Sequence, residues 1–464
     1  MHTNDMTKEI TELIVKAAEK ARKETSGEAE PDLTKPIDWP IDCVVGPGLE
    51  GAIACESKIG YVNGTKGWLI YRGYDIFDLC INSSYEEVSY LLIHGEMPTE
   101  VQLKVYKKKL FQCFHIPATL RLLLSFSIED MHPMAILRLG LNLLRQEFTK
   151  ADLHDHRPTA DSSIATDADT IAMEFAPRGE EHAIFEFKKK RKEEQEAEEA
   201  INSCYRLISA AAAITAAMNR IRSGHYPIDP DPELGFAANL LYMMTGKRPN
   251  PVEERIMDVA LILHADHGMN ASTFAAMVVA STLSDIYYSI GSGTAALSGP
   301  LHGGANEEVI KMLKEIGSVE NVKPWFEKAR QEKRKIPGFG HRVYKAYDPR
   351  ARILSPLAQY LTKYNKEYKP LFDIAQALEK EVVTSFGKEK KIFPNVDFYS
   401  GIVYHVLGVP AEMFTPIFTV SRVAGWTARV SEYLENNRIF RPRAMYIGPF
   451  NKQYVSIEKR HKSK

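Results

Sequence analysis

The stretch Pro337 to Arg350, PGFGHRVYKAYDPR, gathers several chemically capable groups. Gly338 and Gly340 carry no side-chain bulk, so a ligand can come close to their backbone. His341 follows at once and can donate, accept or carry a proton near neutral pH. Asp348-Pro349 has the form of a helix start, with Asp as N-cap and Pro at the first helical position. Arg350 then falls in the first turn, where free N–H groups and the helix dipole favour an anion. Two readings stay open at this point. Either a pocket takes an anionic ligand through Arg350 and polarises it through His341, or a glycine loop with a surface histidine precedes an ordinary capped helix.

Other stretches carry similar potential. His302 stands in GPLHGGAN, where the bare backbone on both sides suits a hydrogen bond to a substrate carbonyl; a hinge loop is the plain alternative. His264 and His267, three apart, could share a helix face. They could bind a metal, but no third ligand lies near, so core hydrogen bonding or substrate contact is the simpler role. Asp397 follows Pro394-Asn395-Val396 close to a helix start, as a cap or as a general base in a partly apolar setting. Arg422 and Arg441 can recognise carboxylates bidentately or form surface ion pairs.

The elements that must carry these groups are mostly helices. Residues 1–40 read as a charged helix and a loose linker containing proline. Val44 to Ile76 is the strand-like region, with Asn63-Gly64 as a hairpin signal between Tyr61-Val62 and Trp68–Tyr71. Ser84 and Gly95 bracket one helix, and Pro98-Thr99-Glu100 opens the next. Residues 118–147 read as two helices separated near His132-Pro133, and 149–195 as a polar insertion ending in basic and acidic blocks that suit a solvated helix. The alanine-rich run Cys204–Ile221 predicts a buried central helix. Further helices are expected near 233–244, 252–266, 271–290, 306–316, 322–333, 350–362, 367–386, 398–407, 411–418 and 420–436, with Asn306 as a cap. Glycine and proline clusters near His302–Asn306 and Pro410–Thr415 suggest domain changes.

The 464 residues suffice for one large domain or two, and a formal net charge of -1 argues against a nucleic-acid binder driven by phosphate neutralisation. The five cysteines are scattered without CxxC spacing, so a disulfide framework or zinc site is not expected. The first residues lack a signal-peptide core, and no run reaches the ~18 apolar residues of a membrane span. A soluble, cytoplasmic protein is the expectation.

Taken together the blocks resemble the citrate synthase family. The resemblance rests on GLEG at 48–51, YRGYDI at 71–76, MHPM at 131–134, LILHADHGMNAST at 261–273 and GPLHGGANE at 299–307. It continues through GFGHRVYKAYDPR at 338–350, PNVDFYSG at 394–401, RPR at 441–443 and YIG at 446–448. It implies a mostly α, two-domain helical dimer with a short hairpin region near its start. The large domain would comprise roughly 41–302 and 415–464, the small domain roughly 303–414, and the N-terminal tail 1–40. The reaction would be a Claisen-type condensation of acetyl-CoA with oxaloacetate and water, giving citrate and free CoA. No permanent cofactor and no metal are implied; the CoA thioester is a co-substrate.

By motif position, Asp397 would take a proton from the acetyl methyl group. His302 would hydrogen-bond the thioester oxygen, and His341 would polarise the oxaloacetate ketone. His267, Arg350 and Arg422 would hold the oxaloacetate carboxylates, joined by Arg441 from the partner subunit. The loop from Gly338 through Gly340 to Lys345 would meet the nucleotide end of CoA. The alternatives are a 2-methylcitrate synthase using propionyl-CoA, a citrate-cleaving module, and a non-catalytic CoA- or carboxylate-binding scaffold. Three departures from the family pattern stand out. The 149–195 insertion is long, Pro356 lies inside an expected helix, and Arg429 occupies a place where many relatives have histidine.

Overall fold

The structure is a computed structural model that describes residues 3–28, 39–116, 131–145, 193–444, 446–449, 452–457 and 460. The insertion up to residue 192, the linker 29–38 and the first of the two helices expected in 118–147 lie outside the described residues.

The fold is mostly helical and is built around the helix Phe414–Glu435, which is buried over nearly its whole length. It packs against the helices Tyr85–His94, Glu193–Arg222, Pro251–His264, Ala271–Ser281 and Ile286–Leu297. Alanines from Ala210 to Ala217 sit inside Glu193–Arg222, and their small side chains let it lie close to its neighbours, as their near-complete burial shows. A second group of helices packs together: Ala305–Ile316, Val322–Gln331, Pro349–Tyr364, Lys369–Val382 and Val396–Val406. Arg350 lies in the first turn of one of these helices and Asp397 in the first turn of another.

The strand-like region forms one antiparallel sheet of β1 (Gly60–Asn63), β2 (Trp68–Tyr71) and β3 (Tyr74–Asp75), in that order. Asn63 pairs with Trp68, so Gly64 to Gly67 form a longer loop than the two-residue turn that Asn63-Gly64 suggests. The Asn63 carboxamide closes that loop, accepting from Lys66 N at 2.9 Å and Thr65 Oγ1 at 2.8 Å.

Capping explains most helix limits. Ser84 and Thr99 each complete a capping box, and Gly95 takes the left-handed conformation at its helix end, as the sequence suggests. The expected helix 271–290 is instead two. The chain breaks at Leu283, whose φ is 63°, and Asp285 caps the next helix, Ile286–Leu297. The expected pair 411–418 and 420–436 is one helix, because Thr419 bonds back to Thr415 O at 3.0 Å within a continuous turn. Asn306 is not a cap: the helix starts at Ala305 after Gly304. Pro356 lies within the continuous helix Pro349–Tyr364.

The N-terminal helix Thr3–Glu24 is not a loose tail. Ile10, Ile14, Ala17 and Ala18 are buried, and the helix packs on both Pro251–His264 and Pro349–Tyr364. Arg352 pairs with its Glu24, and its Arg22 lies 3.5 Å from Asp78.

Candidate active site

Two extended segments bring the chemistry together. Gly340 N donates to Phe393 O at 2.9 Å, and Asn395 N donates to Gly338 O at 2.8 Å. This short pairing, with a bridge between Phe339 and Pro394, sets the His341 loop beside the start of the Asp397 helix. The two glycines have different roles in it. Both have positive φ, but a Cβ on Gly338 would come 2.8 Å from Phe398 and from Val309, so its bareness serves packing. Gly340 opens onto free space and keeps a backbone that a ligand could approach.

Asn395, not Asp397, caps the helix Val396–Val406, its Oδ1 accepting from Asp397 N at 3.0 Å. Asp397 is thereby left free of capping. Its Oδ1 is buried without a hydrogen-bond partner. Burial pushes its carboxyl up to about 7, against the opposing pull of Arg350 and Arg422. Such a carboxylate is a far stronger base than an exposed one.

The two histidines are held neutral with defined tautomers. Burial, aided by Arg422, lowers His302 to about 4. Ser272 N–H donates to His302 Nε2 at 3.3 Å, with Ser272 Oγ at 2.8 Å from the same atom. A backbone N–H can only donate, so Nε2 accepts and the ring proton stays on Nδ1. His341 is likewise lowered to about 4 by burial. Its Nδ1 accepts from Val343 N at 3.0 Å and Tyr344 N at 3.2 Å, which leaves Nε2–H as its donor.

His267 stacks edge-on against His341, ring centres 5.1 Å apart, and its Nε2 lies 3.2 Å from the Tyr344 hydroxyl. Burial first, then Arg350, holds its basicity well below the usual histidine range. Arg350 is buried and bidentate to Asp348, with Nε and Nη2 at 3.0 and 2.8 Å from the two carboxylate oxygens. Asp348 is therefore both the N-cap that the sequence suggests and an ion-pair partner that it does not. Arg422 is buried as well; its Nε donates to His264 O, while its Nη2 has no partner. An orphaned guanidinium donor in a buried setting calls for an acceptor.

His264 is a core residue, wholly buried, bonded to Ala260 O at 2.7 Å and packed edge-on against Phe418. Among the described residues no group of three His, Cys, Asp or Glu side chains is placed to hold a metal ion. Lys345 is exposed, and its backbone N donates to Gly64 O at 2.8 Å. Arg441 lies exposed on the extended segment after Glu435. Sequence reasoning missed Ser272, Tyr344 and the second roles of Asp348 and Asn395. Their signal is only proximity to a motif histidine or aspartate, which does not tell a cap from a clamp.

His341, Arg350, Arg422, His267, His302 and Asp397 thus form one cluster: neutral donors, buried cations and one strengthened base. The family model for the citrate synthase C-terminal domain matches residues 48–443. Citrate synthase 2 of Bacillus subtilis is 42% identical over 89% of this chain and 98% of its own. The citrate synthase of Synechocystis is 41% identical over 89% of this chain and 93% of its own. The crystal structure of citrate synthase from Pyrobaculum aerophilum superposes with a TM-score of 0.75 at 39% identity, covering 92% of this chain and all of that one. The citrate synthase of Thermoplasma acidophilum, solved as a ternary complex with carboxymethyl coenzyme A and oxaloacetate, gives 0.77 at 32% identity, covering 90% of this chain and all of that one. On the family model and these relatives together, the chain belongs to the citrate synthase family.

Proposed function

We propose that Asp397, His302 and His341 carry the condensation in this acyltransferase of the citrate synthase type. Asp397 removes the methyl proton of acetyl-CoA. A thioester α-proton is too weakly acidic for a carboxylate alone, so the barrier falls only if charge on the thioester oxygen is stabilised as it develops. His302 Nδ1–H supplies that hydrogen bond, and removing a donor of this kind costs about 10²–10³ in kcat. His341 Nε2–H polarises the oxaloacetate ketone; the resulting enolate attacks its carbon as the C=O π bond breaks, and the alkoxide that forms is protonated with support from His341. Water then hydrolyses the citryl thioester to citrate and CoA.

The observation that carries this reading is Asp397: a carboxylate with an unpartnered buried oxygen, raised to about 7, beside two histidines held neutral. Arg350, Arg422 and His267 bind the oxaloacetate dianion. Gly340 and Lys345 meet the CoA nucleotide. A homodimer completes the site, with Arg441 reaching the partner's oxaloacetate; its exposure in the single chain supports this. Residues 303–414 form a small domain that closes on the large one, excluding water from the thioester. The protein acts in the cytoplasm; no described helix is long and apolar enough to cross a membrane.

Acetyl-CoA is the substrate. One further methylene is worth only about 1–3 kcal/mol of discrimination, so propionyl-CoA should react more slowly without being refused. Thiol release with oxaloacetate, comparing kcat/KM for the two thioesters, tests this; a preference for propionyl-CoA would assign the chain to 2-methylcitrate synthesis.

A further inference from the structure

Arg429 has no part in the chemistry above, yet it is one of the most fully engaged side chains in the molecule. It is 3% exposed, and its partner Asp266 is 0% exposed. Arg429 Nε and Nη2 each lie 2.7 Å from one oxygen of the Asp266 carboxylate. Its Nη1 donates to Ser57 Oγ at 3.1 Å and its Nη2 reaches Gly60 O at 3.5 Å. A buried ion pair is weak evidence for stability, because desolvating both charges offsets much of their attraction. Its position suggests a more specific role.

The pair brackets His267. Asp266 precedes it, and Asp266 Oδ2 also accepts from Gly268 N at 3.1 Å, so one carboxylate fixes the residues on both sides of the histidine. Tyr71 adds a second grip, its hydroxyl donating to Asp266 O at 2.8 Å. The same helix face holds the segment at three points. Arg422 Nε meets His264 O, Gly425 N donates to Ala265 O at 3.1 Å, and Arg429 holds Asp266. Gly425 is required there, since a Cβ would come 2.2 Å from Ala265 O.

A second consequence concerns charge. Asp266 interacts electrostatically with Arg422, whose Nη2 lacks a partner. Arg429 occupies both carboxylate oxygens and so keeps Asp266 from competing for Arg422. We propose that Arg429 is a positioning residue for oxaloacetate binding, acting through Asp266 to aim His267 and to keep the Arg422 guanidinium available. This rests on the assignment of His267 and Arg422 to the oxaloacetate carboxylates.

The test measures KM for oxaloacetate and for acetyl-CoA, with Tm, in Arg429→Gln, Arg429→Lys, Asp266→Asn/Arg429→Gln and His267→Ala. Arg429→Gln should raise the oxaloacetate KM roughly tenfold through misplacement alone, with the acetyl-CoA KM near wild type. The double variant should recover part of that rise, because the competing carboxylate is gone; a merely structural role gives no recovery. Arg429→Lys keeps the charge and should show a smaller rise in the same direction, which decides the matter if Arg429→Gln does not fold. An unchanged oxaloacetate KM in the Arg429 variants, or both KM values rising together with a lower Tm, overturns the proposal. His267→Ala separates this from the site assignment. A normal oxaloacetate KM there removes the assignment, whereas a raised value beside normal Arg429 variants removes only the role of Arg429.

Discussion

Asn395 Nδ2 donates to Gly340 O at 3.0 Å, tying the start of the Asp397 helix to the loop that carries His341. The same side chain caps the Asp397 helix through its Oδ1, so one carboxamide uses both ends to set the relation between the two segments.

Asn395→Ala should therefore lose more than a cap. The cap alone is worth about 0.5–2 kcal/mol. If the tether also sets the distance between Asp397 and His341, kcat should fall roughly tenfold or more, beyond what the stability change explains. Urea unfolding beside steady-state kinetics separates the two; a full stability loss with unchanged kcat would leave Asn395 only a cap.

The pH profile follows from the shifted groups. Asp397 must be ionised to act as a base, and its carboxyl is raised to about 7. The profile of kcat/KM, which reports the free enzyme, should rise to a limb near 7 and level off above it. His302 and His341 lose their protons near 4, so they remain neutral throughout that rise and add no limb. For stability the sign is opposite. The native state holds the Asp397 proton more tightly than the unfolded chain, whose ordinary value is 3.8. That contribution is complete at low pH and is lost as pH climbs from about 4 to about 7. Asp397→Asn should thus gain stability over wild type in mildly alkaline buffer, measured by urea unfolding, and the gain should vanish in acid.

Ser272→Ala probes the tautomer of His302. The backbone N–H at 3.3 Å remains, but the hydroxyl at 2.8 Å is lost. A drop in kcat of roughly tenfold with little change in the oxaloacetate KM is expected, since only the thioester side is disturbed. An oxaloacetate KM that rises in proportion would place His302 elsewhere.

The N-terminal helix should behave as core. Ile14 is wholly buried, and Ile14→Ala should cost about 2–5 kcal/mol in chemical denaturation. An effect within experimental error would return residues 3–24 to the status of a tail.

If the proposed homodimer shares its site through Arg441, Arg441→Ala should impair activity while leaving that dimer intact by sedimentation. Full activity in an isolated monomer would remove the shared site.

Much of the fold was legible because capping and turn chemistry are local. Ser84, Thr99 and Asp348 announce their helices from sequence alone. The burial of Thr3–Glu24 was not legible, because a charged amphipathic pattern looks the same whether its narrow apolar face, Ile10 and Ile14 among it, meets solvent or core. The break at Leu283 has no Gly or Pro to mark it. At the site, residue types pointed to His302, His341 and Asp397, but whether Asp397 caps its helix depends on Asn395 two positions earlier taking that role. Arg429 stood out only as a departure; its meaning needed Asp266, which is distant in sequence and adjacent in space.

Asp397 is the proposed base of the condensation. Thiol release from acetyl-CoA in the presence of oxaloacetate, compared between wild type and Asp397→Asn, tests it most directly. Asparagine keeps the shape and cannot accept the proton, so CoA release should fall by about 10²-fold or more while oxaloacetate binding persists. Equal rates of CoA release from the two proteins would contradict the account.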